Sequence, residues 1–492
     1  MKQPFVYEIN TRCWMRSLSA RLGSDIPLGA VPDSEFERLK RLGFTHIWLM
    51  GVWPTGPRSR AVALADTELR SELANLLPDW KEEDIAGSPF AVADYAVSPE
   101  LGGERELKKF HKKLHACGMR LLLDFVPNHF GLDHPWVVER PELFVQAPAR
   151  APETFYCKSE AGGCWLAHGK DPNFAAWADT VQLDVRRSDT RACLIETLKS
   201  VAARCDGVRC DMSMLLLNDV FTRTWEHFPC PESEIEREFW ADAISAVKKT
   251  QPEFLFLGEV YWDLEARLQS LGFDYTYDKR LYDYLVYRDL AGVHRHLLGV
   301  APGFVGRNAH FLENHDEPRA ASILALPEHR AAALLSFGLP GLRLAHEGQL
   351  TGARIKTSVQ LSRRPCEPRQ PQVEAFYERL LASLESSAVG RGKFEILRPH
   401  LAWPDNPTDR NFVVVQWQSQ PGSFDLVVVN LAPHRSQCFV SLTVEGLAQR
   451  DWQMKDLLGE EEHQRYGDDL QNQGLYLDLP DHGAQIFHFT PL

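Results

Sequence analysis

Basic residues are in deficit: 54 Lys and Arg stand against 67 Asp and Glu, a net charge of −13 over 492 residues. That balance argues against nucleic acid or an anionic membrane as the main partner, because both select for basic surfaces, and it leaves neutral polymers open. Long apolar runs are missing as well. No segment reaches the ~18 uncharged apolar residues that a membrane helix needs, and MKQPFVYEIN at the start lacks the basic stretch and apolar core of a secretory signal. The expectation is a soluble, cytoplasmic protein. Cysteine is sparse, ten residues scattered through a large chain, so reduced thiols are expected rather than a disulfide framework. Cys157 and Cys164 flank a glycine pair and are placed to meet, but no second Cys/His pair lies nearby at ligand spacing, and no zinc site is expected there. Internal repeats and low-complexity segments are also absent.

At 44% hydrophobic and 25% charged, the chain can bury a large core and should hold more than one domain. Its most informative segments are DFVPNH (Asp124 to His129), GVRCD (Gly207 to Asp211), FLGEV (Phe256 to Val260) and FLENHDEPR (Phe311 to Arg319). Each is an apolar, strand-like run that ends abruptly in polar residues. Acids and histidines at the ends of successive strands suggest chemistry at the carboxyl face of a parallel barrel. Together the segments deliver Asp211, Glu259 and Asp316, and two carboxyl groups with a third acid are the equipment of glycosidic bond cleavage.

The pattern up to about residue 350 supports that architecture. Strand candidates fall at Phe5 to Ile9, His46 to Met50, Arg120 to Phe125, Gly207 to Asp211, Phe254 to Val260, Phe273 to Tyr277, His310 to Glu313 and Leu342 to His346. Helical spacing appears between them at Ser34 to Leu42, Glu104 to Cys117, Asp189 to Ala203, Glu234 to Lys249 and Glu328 to Ser336. The fold class expected is α/β, a (β/α)8 TIM barrel over 1–129 and 185–390. Residues 130–184, rich in Pro, Gly and aromatics and weak in periodicity, form an excursion after strand 3 that should pack over the barrel mouth. Alternating runs after Arg391 indicate a C-terminal antiparallel β-sandwich domain over 391–492.

With those motifs in order and at this spacing, the chain resembles the α-amylase superfamily, family 13 of the glycoside hydrolases, from YEINTR (Tyr7 to Arg12) through HEGQ (His346 to Gln349). The resemblance implies Asp211 as nucleophile, Glu259 as general acid/base and Asp316 as the acid that holds sugar hydroxyls and stabilises the transition state. It also implies that His129 and His315 donate to the bound sugar, that Phe90 in SPFAVADY stacks on it where relatives often have Tyr, and that Asp94 and Tyr95 support that loop. Arg209, two residues before Asp211 on one strand face, should keep that carboxylate ionised. The apolar lead-in to Glu259 should desolvate its carboxyl and raise its pKa.

Two departures from the family pattern matter. Met214 and Leu215 occupy positions where many α-amylases have Lys-His, which weakens both an endo-amylase assignment and a structural calcium, although Asn128 matches a position that helps to bind that ion in many relatives. QLD (Gln182 to Asp184) stands where a further family motif would be and leaves specificity open. Arg58 and Arg60 lie beside a mouth loop, where they either serve an anionic acceptor or are simply solvated, the second being preferred. No cofactor and no metal are expected. The expected partner is an oligosaccharide; linkage, oligomeric state and the choice between hydrolysis, transfer and phosphorolysis stay open, as does a non-catalytic amylase-like binding role. Trp53, Trp136, Trp165 and Trp262 are candidate sugar platforms.

Overall fold

The computed structural model describes residues 2–159, 162–229, 236–420 and 422–492. Eight parallel strands close a barrel: β1 (Phe5–Asn10), β2 (His46–Met50), β3 (Arg120–Phe125), β4 (Gly207–Cys210), β5 (Leu255–Gly258), β6 (Tyr275–Tyr277), β7 (Asn308–Phe311) and β8 (Leu342–His346). Neighbours in the barrel follow chain order, with β8 pairing back onto β1. All eight coincide with the strands expected from hydrophobic runs. Alternation divides each strand between two environments. Val6, Trp48, Leu122, Leu257, Phe311 and Leu344 fill the barrel, while Phe5, Ile47, Leu121, Phe256 and Ala345 pack outward against the helical layer.

Helices at Asp33–Arg41, Gly103–Ala116, Ser188–Ala202 and Leu326–Gly338 lie where the spacing places them. The helix expected from Glu234 runs from Phe239 to Lys248, and Glu234 itself lies outside the described residues. Further helices, among them Thr11–Leu22, Pro57–Ala65, Thr67–Leu76 and Lys279–Val286, were not among those expected, and of these Pro57–Ala65 carries no clear apolar stripe.

Two connections rather than one leave the barrel at its carboxyl face. The expected excursion after β3 is more ordered than its weak periodicity suggests: Thr154–Ser159, Gly162–Ala167 and Gln146–Ala147 form a small antiparallel sheet, and Thr180–Gln182 pairs with His129–Gly131. Cys157 and Cys164 do face each other across that hairpin, as free thiols. The second excursion, between β2 and the helix at Gly103, carries Phe90 and was not anticipated. Its Tyr95 is buried, with its hydroxyl donating to Val126 O and accepting from Val126 N, while Asp94 is exposed.

Beyond the helix Pro371–Ser386 the chain forms two antiparallel sheets. One has six strands, Lys393–Leu397, Phe412–Gln418, Phe424–Asn430, Ala484–Pro491, Trp452–Asp456 and Glu462–Arg465; the other has three, Pro399–Leu401, Ser436–Val440 and Leu475–Leu479. The central strands of the larger sheet are buried on both faces. Val414, Leu426 and Val428 meet Cys438, Val440 and Leu477 of the smaller sheet, and Val413, Val415, Val427 and Val429 join the barrel's outer core. Trp417 Nε1 donates to Gly338 O at 2.9 Å across this join. Among the described residues no helix is long and apolar enough to cross a membrane.

Candidate active site

The carboxyl ends of β4, β5 and β7 open into one cleft of about 840 Å³, and Asp211, Glu259 and Asp316 all line it. Phe90, His129 and Arg209 line it as well. Arg209 faces the barrel interior because it alternates with Val208 and Cys210, both of which pack outward. Two residues further on, Asp211 lies on the same side, and Arg209 Nη1 donates to Asp211 Oδ1 at 2.5 Å. The same guanidinium uses Nη2 on Glu259 Oε2 at 2.8 Å. It is therefore shared between the two acids, where the sequence suggests a private partner for Asp211. Its plane is held by aromatic faces, with Cζ at 5.0 Å from the Phe90 ring, 5.4 Å from Trp48 and 5.8 Å from Tyr277.

Electrostatics separate the acids. Burial is the main influence on Glu259; Arg209 opposes it, the nearby Asp211 and Asp316 charges add to it, and the carboxyl is pushed up to about 7. It accepts from Met212 N at 2.6 Å and from Tyr261 Oη at 2.8 Å. Burial also raises Asp211 above the ordinary carboxylate range, against the pull of Arg209. Asp316 goes the other way. Burial would raise it, but the His315 cation carries it well below its ordinary value. Its side chain is 44% exposed at the rim of the cleft, so this displacement is read from its ion pair more than from its surroundings.

His315 lies between two carboxylates. Nδ1 is 2.5 Å from Glu8 Oε1 and Nε2 is 3.0 Å from Asp316 Oδ2. Burial opposes the charged ring, yet the two acids push its pKa up to about 10, so at neutral pH both nitrogens carry protons. His129 has the opposite environment: buried beside Trp177, with ring centroids 4.9 Å apart, it is pushed down to about 3 and is a neutral imidazole. Phe90 stacks obliquely on His315 at 5.4 Å and 33°.

Several residues in or beneath the cleft were not singled out from the sequence. Glu8 sits in the middle of an apolar strand and reaches His315 across more than 300 residues. Asp124, quoted in DFVPNH as a strand end, is a buried hub whose carboxylate accepts from Trp48 Nε1 at 2.8 Å and Gly51 N at 2.7 Å. Tyr261 was findable, standing two residues beyond Glu259. Trp177 and Asp179 reach the cleft from the excursion, and burial pushes the Asp179 carboxyl up to about 6. Of the candidate platforms only Trp262 lines the cleft, 40% exposed; Trp53 is fully buried, and Trp136 and Trp165 pack within the excursion.

Arg58 is exposed, as expected of a solvated arginine, and Arg60 is half-buried, but both also hold loop carbonyls. Arg58 donates to Leu132 O and Arg60 to Ile85 O and Glu82 O, clamping loop carbonyls. The calcium position does not fit a calcium ion, which takes six to eight oxygen ligands with carboxylates among them. The Asn128 amide is committed to Gln182 in both directions, Asp184 is paired through both oxygens with Arg186, and Met214 and Leu215 are buried apolar groups.

Residues 34–365 match the family model described as alpha amylase, catalytic domain. Alpha-amylase MalA of Haloarcula japonica is 25% identical over 284 residues, 56% of this chain and 38% of that protein. An alpha-1,4-glucan:maltose-1-phosphate maltosyltransferase of Bifidobacterium animalis is 25% identical over 46% of this chain and 26% of its own length, so the chain spans well under half of either relative. Among solved structures, the maltogenic alpha-amylase AmyB of Thermotoga neapolitana covers 99% of both chains with a TM-score of 0.69 at 19% identity. A trehalose-6-phosphate hydrolase of Bacillus licheniformis covers 99% of both with 0.64 at 13%. At such identities the structural likeness speaks to the fold.

Proposed function

The chain belongs to the alpha-amylase catalytic-domain family of glycosidases and transglycosidases, and from that premise we propose that it is a retaining enzyme acting on α-glucosidic bonds of oligosaccharides through a glycosyl ester on Asp211. Asp211 attacks the anomeric carbon while Glu259, still protonated near neutral pH, delivers its proton to the departing glycosidic oxygen. The Glu259 carboxylate so formed then takes a proton from water or from a sugar hydroxyl as that oxygen displaces Asp211. Charge develops on the sugar ring between the two acids, where the Asp316 carboxylate can stabilise it. Neutral His129 offers a hydrogen bond to a ring hydroxyl and Phe90 a face, whereas His315, expected to touch the sugar, has both nitrogens turned to Glu8 and Asp316 and acts by positioning Asp316.

One observation carries this reading: a single buried guanidinium bridges Asp211 and Glu259 at the mouth of the barrel, and burial pushes the Glu259 carboxyl up to about 7. Asp211→Asn tests it. Turnover should fall by several orders of magnitude with the fold intact, because an amide cannot form the ester. Near-normal turnover, after deamidation has been checked, removes Asp211 from the role. Incubating the chain with maltose, trehalose, sucrose and maltotriose, with and without phosphate, separates hydrolysis, transfer and phosphorolysis by their products. The committed donors around Asn128 support calcium-independent activity, so EGTA should leave turnover unchanged. The nine cysteines among the described residues are free thiols, which suits a reducing compartment such as the cytoplasm.

A further inference from the structure

Away from the cleft, His111, His115 and Asp206 bring three metal-ligating groups together, each offering one ligand atom within 4.8 Å of the others. The two histidines stand four residues apart on the helix Gly103–Ala116 and so share one face, with ring centroids 4.2 Å apart. Both aim Nε2 at Asp206 Oδ2, each at 2.9 Å. Asp206 is fixed in place. Its N–H donates to Leu121 O, and Leu121 N donates to its Oδ2 at 2.8 Å, so the carboxylate is pinned between β3 and β4. Two ligands from one helical turn and one from a strand junction leave a fourth position open to solvent.

We propose that His111, His115 and Asp206 bind a zinc-class divalent cation that fastens this helix to the amino end of β4. Two imidazole nitrogens and one carboxylate oxygen suit such a borderline ion, whereas calcium and magnesium select oxygen. Zinc sits about 2.0–2.2 Å from nitrogen and oxygen ligands, which places tetrahedral ligands roughly 3.4 Å apart, so each histidine need move only about half an ångström away from Asp206 to admit the ion. Each imidazole presents its Nε2 lone pair after moving its proton to Nδ1 or releasing it to solvent. Arg120, 3.9 Å from Asp206 Oδ1 and itself half exposed, can swing away. Asp206 precedes β4 and Asp211 follows it, so the length of the strand, roughly 13 Å at about 3.3 Å per residue, separates the ion from the chemistry. Its effect is on stability, because it joins segments some ninety residues apart in the chain.

Zinc chloride titrated into the chelator-stripped full chain, followed by calorimetry and thermal melting, tests this. One equivalent should bind and raise Tm, calcium and magnesium should do neither, and kcat on a maltooligosaccharide should not change. His115→Gln keeps a side chain that can donate to Asp206 but loses the imidazole; it should fold, keep its kcat and bind zinc at least tenfold more weakly. His111→Ala should lose the same binding. Absence of zinc binding by the unaltered chain overturns the proposal, as does zinc binding that survives unchanged in His115→Gln, which would place the ion on thiols such as the exposed Cys366.

Discussion

Arg209 shows how one side chain can set two carboxyls to different tasks. It touches both Asp211 and Glu259 and opposes the burial and neighbouring acids that raise each of them, and Glu259 is still pushed up to about 7. Glu259→Gln should therefore cost about 10²–10⁴ in kcat/KM on ordinary saccharides and far less on activated aryl glycosides, whose leaving groups need little proton assistance. Equal loss on both substrate classes would count against the acid role. The rate of the unaltered enzyme should fall as pH rises through about 7, where Glu259 gives up its proton, and the variant should lack that limb. His315 supplies a second pH signature, in stability. Its folded pKa is raised from 6.5 to about 10, so its contribution is fully present below about 6.5 and is lost as pH rises through about 10. Denaturant midpoints of His315→Asn should be lower at pH 6 and flatter between pH 6.5 and 10 than those of the parent; parallel slopes would mean that His315 does not titrate in that window.

At the scale of elements, the excursion after β3 decides what shape of substrate can enter. Its stretch from Asp171 to Thr180 supplies Phe174, Trp177 and Asp179 to the cleft wall, and Phe174 is 74% exposed there. Thr180–Gln182 is paired to His129–Gly131, which ties that wall to the end of β3. Aromatic side chains lose few rotamers when they order, so such a wall closes one end of a groove at low entropic cost. Short saccharides should then be better substrates than polymer, with kcat/KM on maltotriose exceeding that on soluble starch. Trp177→Ala should narrow the difference. Internal cleavage of starch into a spread of long fragments would show an open groove instead.

At the scale of the molecule, the larger sheet of the sandwich takes part in two cores, its own and the barrel's outer one, since strands Phe412–Gln418 and Phe424–Asn430 are covered on both faces. Gly338, at the end of the helix Leu326–Gly338, lies where this join is tightest: a Cβ there would come within 2.6 Å of Val427 Cγ1. Gly338→Ala should destabilise the protein by about 1–3 kcal/mol through overpacking, although alanine favours the helix. Chemical denaturation measures it, and a variant as stable as the parent would mean that the join yields freely.

The sequence by itself determined the eight barrel strands, because each is a short apolar run ended by polar residues, and it singled out Asp211, Glu259 and Asp316, which the closed barrel brings into one cleft because each follows a strand at its carboxyl end. Sandwich strands with clear alternation, such as Phe424–Asn430, were legible for the same reason of local pattern, while the edge strand Glu462–Arg465, polar on both faces, was not. What only the tertiary structure decided are relations between distant residues. Glu8 beneath His315, one arginine shared by two acids, Arg58 and Arg60 spent on loop carbonyls, and Phe174 and Trp177 walling the cleft each depend on which loops converge over the barrel mouth. That convergence rests on long-range packing and hydrogen bonding, which no local periodicity encodes.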